Sequence, residues 1–403
     1  MAALAALSVV FLGTMLSCQA QPPPATGKPE SEAVQPEPKQ KAPQAGAKIE
    51  SDSFTVPEGT PEQLERFLED LLRQKPPARD PATVKAFATR LARAALEAGE
   101  RILAAKPKPN DEQAATGVRA KMLAYNILGQ FGDKEAAQKL QEMPATLEKA
   151  GWPKLVRLAR TALLQIELMG PANAEPAQFK KLLERIRKHL ADGPIQEDEA
   201  QLAHEAAMTA ADINDDLAAA AYGELGALLA RSADKRTASL AAKMQGAARR
   251  LTLVGQKPEL EGKTVSGKPL DWAKYRGKTV LVQFWATWCG PCRAAISRIR
   301  PLYRAYHDKG FDVVGISVDK EREDLDAFLK DADLPWAIVA DADAIGAEKD
   351  DSMGTKYGVF GIPEMWLLDK EGKVLARGLD PDALAQALEK QYGPIPEPKP
   401  PGK

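Results

Sequence analysis

The sequence predicts a multi-domain protein in which an α-helical N-terminal domain precedes an α/β domain with a central mixed sheet. A length of 403 residues is enough for two or three domains with buried cores. Residues 59–254 are alanine-rich and free of cysteine, and their apolar residues recur at helical spacing. After residue 255, apolar β-branched runs alternate with amphipathic segments, which is the pattern of a layered α/β fold.

The composition excludes several classes of protein. With 55 basic and 56 acidic side chains, the formal net charge is −1, so the chain lacks the electrostatic footprint of a nucleic-acid-binding protein. Three cysteines are too few for a disulfide-stapled scaffold. Only one apolar run approaches membrane length, and it lies at the extreme N-terminus, which excludes a polytopic membrane protein.

Residues 1–18 are predicted to be a signal peptide with a lipobox-like end. The first 17 residues carry no charge, and their apolar stretch is short for a transmembrane helix. The segment Met15-Leu16-Ser17-Cys18 resembles a bacterial lipobox, in which Cys18 would be lipidated. Because the segment before the apolar run has no Lys or Arg and Met15 replaces the usual Leu, an uncleaved anchor stays open as an alternative. Either form would tether the protein to a membrane, with its folded domains on the extracytoplasmic side.

Proline-rich sequence flanks the folded regions. Residues 21–48 hold seven prolines and no Leu, Ile or aromatic residue, so they cannot bury enough apolar area to offset the entropy of ordering. We therefore predict a disordered tether over residues 19–58 and a Pro-rich disordered tail over residues 394–403.

The region 59–254 begins with a strong helix-start signal. Thr60 is placed as an N-cap, Pro61 occupies the first helical position, and Gln63 completes a capping box. Asp80-Pro81 repeats this signal. Eight or nine helices joined by short turns are expected, packed as antiparallel hairpins. One apolar stripe consists of Phe179, Leu182, Leu183, Ile186 and Leu190.

The α/β region, residues 255–393, is expected to contain five strands and three helices. A hairpin turn at residues 369–372 joins the last two strands. The predicted strands are Thr279–Trp285, Phe311–Val318, Trp336–Ala340, Glu364–Leu368 and Lys373–Arg377, and the predicted helices are Pro291–His307, Arg322–Lys330 and Pro381–Gln391.

Two cysteines lie where the first strand ends and a helix begins, in the segment Trp288-Cys289-Gly290-Pro291-Cys292. Cysteines three residues apart at a helix start share a face and can form a reversible disulfide. At a helix N-terminus the free N–H groups and the dipole favour a thiolate, and they lower a thiol pKa from its usual value of about 8.5. Cys289 is therefore the candidate nucleophile, and the more shielded Cys292 would act second. Pro291 suits a helix start.

The segment around these cysteines resembles the active-site region of the thioredoxin superfamily, and specifically the TlpA/ResA-like thiol–disulfide oxidoreductases of bacterial envelopes. The resemblance covers about residues 255–393 and includes three lead-in segments, residues 255–258, 267–270 and 275–278. It implies a thioredoxin-like fold and a redox-active Cys289–Cys292 disulfide. It also implies a cis-proline at Pro363 opposite the cysteines, with Trp288 at the rim beside Cys289. The helical region resembles no family that can be named.

The resemblance also implies an activity and its partners. Cys289 would attack a disulfide in a partner protein, and Cys292 would resolve the mixed disulfide. The backbone around Ile362 would pair with an extended segment of the partner. Clients would be disulfide-containing envelope proteins, among them apocytochrome c, and a membrane thiol donor would re-reduce the cysteines. No cofactor and no metal are expected.

Four positions depart from the family pattern. Gln283 stands where thioredoxins have a buried Asp, and Ala295 and Ser297 stand where ResA-like proteins have Glu and Pro. Glu364 replaces the Thr that usually follows the cis-proline. The two family carboxylates that could take the proton from the resolving thiol are therefore absent. Glu364 could act as the proton acceptor in their place, could raise the pKa of the thiol, or could be an exposed residue at a strand start.

Other functions remain as alternatives. The helical region could be a protein-binding scaffold with the redox module accessory or weakly active. Peroxide reduction is disfavoured because Ala286 stands where peroxide-reducing relatives have Thr. A zinc site lacks ligands, since Cys18 is distant and His307 stands alone, while His189 and His204 have no cysteine near them.

Overall fold

The structure of the chain, a computed structural model, describes residues 51–108, 111–170, 175–332, 334–340 and 352–395. The predicted signal peptide with Cys18, most of the tether and most of the Pro-rich tail lie outside these residues. The chain divides into two compact units, one up to residue 173 and one from residue 174.

The first unit contains five α-helices among its described residues, each packed against the next in sequence. The predicted start signals are in place: Gln63 Oε1 accepts a hydrogen bond from the Thr60 N–H at 2.8 Å, and Asp80 Oδ1 accepts one from the Thr83 N–H at 2.9 Å. The helices are α1 (Pro61–Arg73), α2 (Pro81–Ala104), α3 (Glu112–Gln130), α4 (Lys134–Lys149) and α5 (Pro153–Leu168), preceded by a 3₁₀ turn at Ser51–Phe54.

The second unit begins with four more helices, which bring the described helices before residue 255 to nine. They are α6 (Pro176–Ala191), α7 (Glu197–Ile213), α8 (Asp215–Leu229) and α9 (Lys235–Leu251). On α6, four of the five residues of the predicted apolar stripe are buried, namely Phe179, Leu182, Ile186 and Leu190, and Leu183 is partly exposed. These four helices belong to the same compact unit as the sheet, although the sequence pattern changes only at residue 255.

The predicted mixed sheet has six strands in the order β1-β4-β3-β2-β5-β6. The central strand β2 is parallel to β3 and antiparallel to β5. The strands are β1 (Lys263–Thr264), β2 (Thr279–Trp285), β3 (Phe311–Ser317), β4 (Ala337–Ala340), β5 (Glu364–Leu368) and β6 (Val374–Arg377). Sequence analysis missed β1 because two residues leave no periodic signal.

Among the residues that the structure describes, four helices accompany the sheet: α10 (Gly290–Tyr306), α11 (Arg322–Ala332), α12 (Met353–Lys356) and α13 (Pro381–Tyr392). One face of the sheet packs against α10 and α13 in a core that includes both cysteines of the pair. The other face packs against α12 and the segment that follows α9. In the described ranges, no helix combines the length and the apolar character that crossing a membrane requires.

Helix α9 is held against the sheet region by an unusually close backbone contact. Gly246 in α9 meets the turn that follows α12, where a Cβ on Gly246 would overlap the Thr355 carbonyl oxygen and lie 2.5 Å from the Gly358 nitrogen. Gly358 also has a positive φ of 53°, which favours glycine. Only glycine fits at either position, so α9 and this turn form one packed body.

We expect Gly246→Ala to destabilise the protein by about 1–3 kcal/mol, because the added methyl group forces backbone apart. Gly223→Ala in α8 is the matched control, since its Cβ would meet only Ala248 Cβ at 3.7 Å. The control should be neutral or stabilise by up to about 1 kcal/mol through helix propensity. Urea denaturation measures both, and equal effects would contradict the close contact.

Candidate active site

The two cysteines are placed by the transition from β2 to α10. Strand β2 is buried along its whole length and ends at Trp285, and α10 begins at Gly290 with Cys289 as its N-cap. Cys289 and Cys292 form a disulfide with their Cα atoms 5.2 Å apart. Cys289 Sγ accepts a hydrogen bond from the Cys292 N–H at 3.1 Å. The helix N-terminus therefore donates directly to the first sulfur, which favours negative charge there.

The two sulfurs differ in access. Cys289 is 5% exposed, whereas Cys292 is fully buried. Beside Cys289, the Trp288 side chain is 67% exposed, while Trp285 is buried and packs on Phe328 with ring centroids 5.3 Å apart. A partner can therefore approach Cys289 across the exposed indole of Trp288, and Cys292 lies behind it.

A second segment meets the cysteine pair from a distant part of the chain. The Ile362–Pro363 peptide bond is cis, the isomer that the resemblance implies. The Ile362 carbonyl oxygen lies 3.8 Å from Cys289 Sγ, although the two residues are 73 positions apart. This segment, residues 360–364, is called the proline loop below. Gly361 in it is exposed, and Ile362 and Pro363 are partly exposed.

Glu364 corrects part of the sequence-based expectation. Its side chain is only 13% exposed, so the hypothesis of an exposed strand-start residue is wrong. Its carboxylate contacts Arg250 Nη1 at 3.4 Å and accepts a hydrogen bond from Trp366 Nε1 at 2.8 Å. Side chains alternate along β5, and Met365 lies in the core that holds the cysteines, whereas Trp366 lies in the opposite core. Glu364 therefore faces away from the disulfide and is already paired, which argues against a role as proton acceptor.

The face of β2 below the disulfide is apolar apart from one amide. Gln283 shares this face with Leu281 and Trp285, which belong to the core containing both cysteines. Gln283 is fully buried, and within the described residues neither polar atom of its side chain has a hydrogen-bond partner. Ala295 on α10 is buried in the same core. Gln283 and Ala295 stand where the related proteins have Asp and Glu, so neither position carries a charge.

Asp319 fixes the loop that leads to the cysteines, and sequence analysis missed it. This buried carboxylate accepts hydrogen bonds from the Thr287 N–H at 2.9 Å, from Thr287 Oγ1 at 2.7 Å and from Ser317 Oγ at 2.7 Å. A signal was available, because Asp319 follows β3, the strand that runs parallel to β2. Carboxyl ends of neighbouring parallel strands meet at one edge of the sheet.

Phe360 connects the proline loop to the helices of the second unit. His204 on α7 packs on its ring with centroids 4.5 Å apart, and Lys243 Nζ on α9 lies 4.8 Å from the ring centre. Burial lowers the pKa of His204, and the nearby Lys243 lowers it further, so the imidazole is neutral at pH 7. Burial also lowers the pKa of Lys243. A neutral imidazole suits this aromatic contact.

The histidines do not form a metal site within the described part of the chain. His189 Nε2 lies 3.9 Å from Glu199 Oε1, and His307 stacks on Tyr303. Across the described ranges, no group of three or more His, Cys, Asp and Glu side chains is placed to hold a metal ion.

Comparison with known proteins places the similarity in the C-terminal region. Residues 249–390 match the Redoxin family. Thiol-disulfide oxidoreductase ResA from Bacillus thuringiensis subsp. konkukian is 31% identical over 111 residues, which make up 28% of this chain and 60% of that protein. Thioredoxin-like protein YneN from Bacillus subtilis is 34% identical over 122 residues, covering 30% of this chain and 66% of that protein. The chain thus spans about 60% of the length of the first of these relatives.

Among solved structures, the thioredoxin domain of a thiol-disulfide oxidoreductase from Bacteroides vulgatus is 31% identical, with a TM-score of 0.31. It is matched over 34% of this chain and 96% of its own length. The relatives cover the C-terminal region only, in agreement with the range of the resemblance.

We expect Asp319→Asn to destabilise the oxidised protein by about 1–3 kcal/mol, because an amide oxygen cannot accept from all three donors that the carboxylate serves. Asp326→Asn is the control, since Asp326 forms a partly exposed ion pair with Arg322. The Asp326→Asn substitution should lower the free energy of unfolding by less than about 0.5 kcal/mol. Urea denaturation followed by far-UV circular dichroism compares the two, and an Asp319→Asn protein as stable as the control would contradict the anchoring role.

Proposed function

We propose that the protein is a thiol–disulfide oxidoreductase that reduces or exchanges disulfides in partner proteins, a function supported by the match of residues 249–390 to the Redoxin family. The observation that carries the proposal is the Cys289–Cys292 disulfide at the start of α10, with Cys289 Sγ against the Ile362 carbonyl of the proline loop. A reversible disulfide at a helix N-terminus is suited to thiol–disulfide exchange.

In the first step, the Cys289 thiolate of the reduced protein attacks one sulfur of a partner disulfide. A Cys289–partner disulfide forms, the partner's own S–S bond breaks, and the released partner thiolate takes up a proton. The Cys292 N–H and the N-terminus of α10 stabilise the attacking thiolate, because they donate to this sulfur without having to reorganise.

In the second step, Cys292 loses its proton and attacks Cys289 Sγ. The mixed disulfide breaks, the second partner thiolate leaves and is protonated, and the 289–292 disulfide forms. Two electrons have then passed from the dithiol to the partner. A thiol donor must return the two electrons before the next cycle, and we assign this role to a membrane thiol donor.

The partner segment would be held beside Cys289 by the proline loop. The backbone around Ile362 is partly exposed, so it can pair with an extended segment in the manner of an added strand. The exposed Trp288 indole would cover the other side of the reacting sulfurs. Gly290, which has no side chain, and Pro291, with its compact ring, are both exposed between the two cysteines.

We place the activity in the bacterial cell envelope, on the extracytoplasmic side of a membrane. The support is the signal-like sequence of residues 1–18 with Cys18 in a lipobox-like context, followed by a Pro-rich tether. Clients would be oxidised envelope proteins, including apocytochrome c.

Cys292→Ser should trap a mixed disulfide, because the first step proceeds and the second cannot. Incubating the reduced variant with a disulfide-bonded polypeptide such as insulin should give a covalent adduct through Cys289 on a non-reducing gel. Cys289→Ser is the control and should give no adduct. Adduct formation by Cys289→Ser but not by Cys292→Ser would reverse the assigned roles, and the absence of any adduct would favour the scaffold function of the helices.

The reduction potential of the cysteine couple decides the direction of electron flow. In a protein spanning residues 19–403, equilibration with thiol redox buffers should give a potential at or below about −250 mV, as expected for a reductase that needs a dedicated donor. Tryptophan fluorescence follows the transition, since Trp288 adjoins Cys289. A value between about −120 and −180 mV would instead identify an oxidant or isomerase.

A further inference from the structure

Helices α7, α8 and α9, which precede the sheet in the chain, contact both ends of the proline loop. Phe360 stands at its beginning and Glu364 at its end, and each contacts side chains from the helical part of the second unit. The three residues between them include Ile362, whose carbonyl oxygen lies 3.8 Å from Cys289 Sγ. The position of this segment therefore depends on what holds its two ends.

At the first end, three helices surround the Phe360 ring. His204 from α7 lies 4.5 Å away and Tyr222 from α8 lies 5.8 Å away between ring centroids, while Lys243 Nζ from α9 lies 4.8 Å from the ring centre. The contacts combine aromatic packing with a cation–π interaction.

At the second end, Arg250 from the last turn of α9 contacts the Glu364 carboxylate, with Nη1 and Oε2 3.4 Å apart. The two residues are 114 positions apart in the chain, and both side chains are only 13% exposed. Removing one partner of a buried ion pair leaves the other as an uncompensated buried charge, which is far more costly than removing both. Glu364 would then keep the hydrogen bond that Trp366 Nε1 donates to its Oε1, at 2.8 Å, and would lose the contact with Arg250.

The backbone at Glu364 is directly coupled to the site. Glu364 is the first residue of β5 and pairs with Phe284 near the end of β2. Two residues earlier, the Ile362 carbonyl lies 3.8 Å from Cys289 Sγ. A shift of the Glu364 side chain toward solvent would move this carbonyl relative to the sulfur.

We propose that Arg250 is a positioning residue of the redox site, which holds Glu364 and thereby sets the Ile362–Pro363 segment for docking of a polypeptide disulfide. Helix α9 is then part of the substrate-binding structure. This inference rests on the proposed oxidoreductase function and deepens it, because it assigns a helix that precedes the sheet a part in recognising polypeptide substrates.

The inference separates two kinds of substrate. A polypeptide disulfide needs the backbone of the proline loop for docking, whereas a small disulfide needs only access to Cys289. Loss of Arg250 should therefore slow the first reaction selectively. A defect in overall folding would slow both reactions to the same extent.

The test measures second-order rate constants of the reduced protein with insulin and with hydroxyethyl disulfide. Arg250→Met should lower the insulin rate about tenfold or more and change the hydroxyethyl disulfide rate by less than about twofold, since small misplacements of a docking group cost rate steeply. The double variant Arg250→Met/Glu364→Gln should recover to within about threefold of wild type, because no buried charge is left unpaired. Arg250→Lys should lose about threefold on insulin alone.

Arg249→Met is the matched control, because Arg249 lies next to Arg250 on α9 but donates to the Lys356 carbonyl oxygen instead of contacting Glu364. It should change neither rate by more than about twofold. Equal slowing of both disulfides by Arg250→Met, or an Arg250→Met protein that matches the control, overturns the inference. If Arg250→Met does not fold, Arg250→Lys decides by the same comparison. A wild-type protein that reacts with neither disulfide overturns the proposed function itself.

Discussion

The antiparallel pairing of β2 with β5 is the contact on which the arrangement of the site depends. It joins the strand that leads into the cysteine pair to the strand that follows the proline loop, with Phe284 opposite Glu364. This register brings Ile362 next to Cys289, although the two residues are 73 positions apart in the sequence. The apolar cores on both faces of the sheet keep β2 fully buried, so its register is strongly specified.

The alternation of side chains along these strands separates charge from the redox centre. The face with the disulfide carries apolar residues and the neutral Gln283, whereas the opposite face carries the Glu364 carboxylate together with Arg250. A buried carboxylate next to a thiolate would oppose its formation, and here the pleat of the sheet keeps the two apart. Stabilisation of the Cys289 thiolate would then come from the helix terminus, and its proton would exchange with solvent.

The sequence predicted features that depend on one local segment, and it did not predict contacts between residues that are distant in the chain. Strands Thr279–Trp285 and Glu364–Leu368 have the predicted bounds, and the cysteine pair stands at the predicted helix start, because apolar runs and capping residues report on their own segment. The burial of Glu364 could not be predicted, since its partner Arg250 lies 114 positions earlier and leaves no local pattern. The role of Phe360 was missed for the same reason. The family resemblance begins at residue 255, so it includes the proline loop but not α9, which ends at Leu251.

The close contact of Gly246 with the turn at Gly358 has a consequence for fluctuations of the native state. Helix α9 cannot move away from this turn without opening backbone that is packed almost atom against atom. Local opening of α9 and of the segment that continues into the proline loop is therefore a single cooperative event. The protection of amide protons from solvent exchange would then be coupled between the two segments, and a polypeptide bound at the loop would also slow exchange in α9.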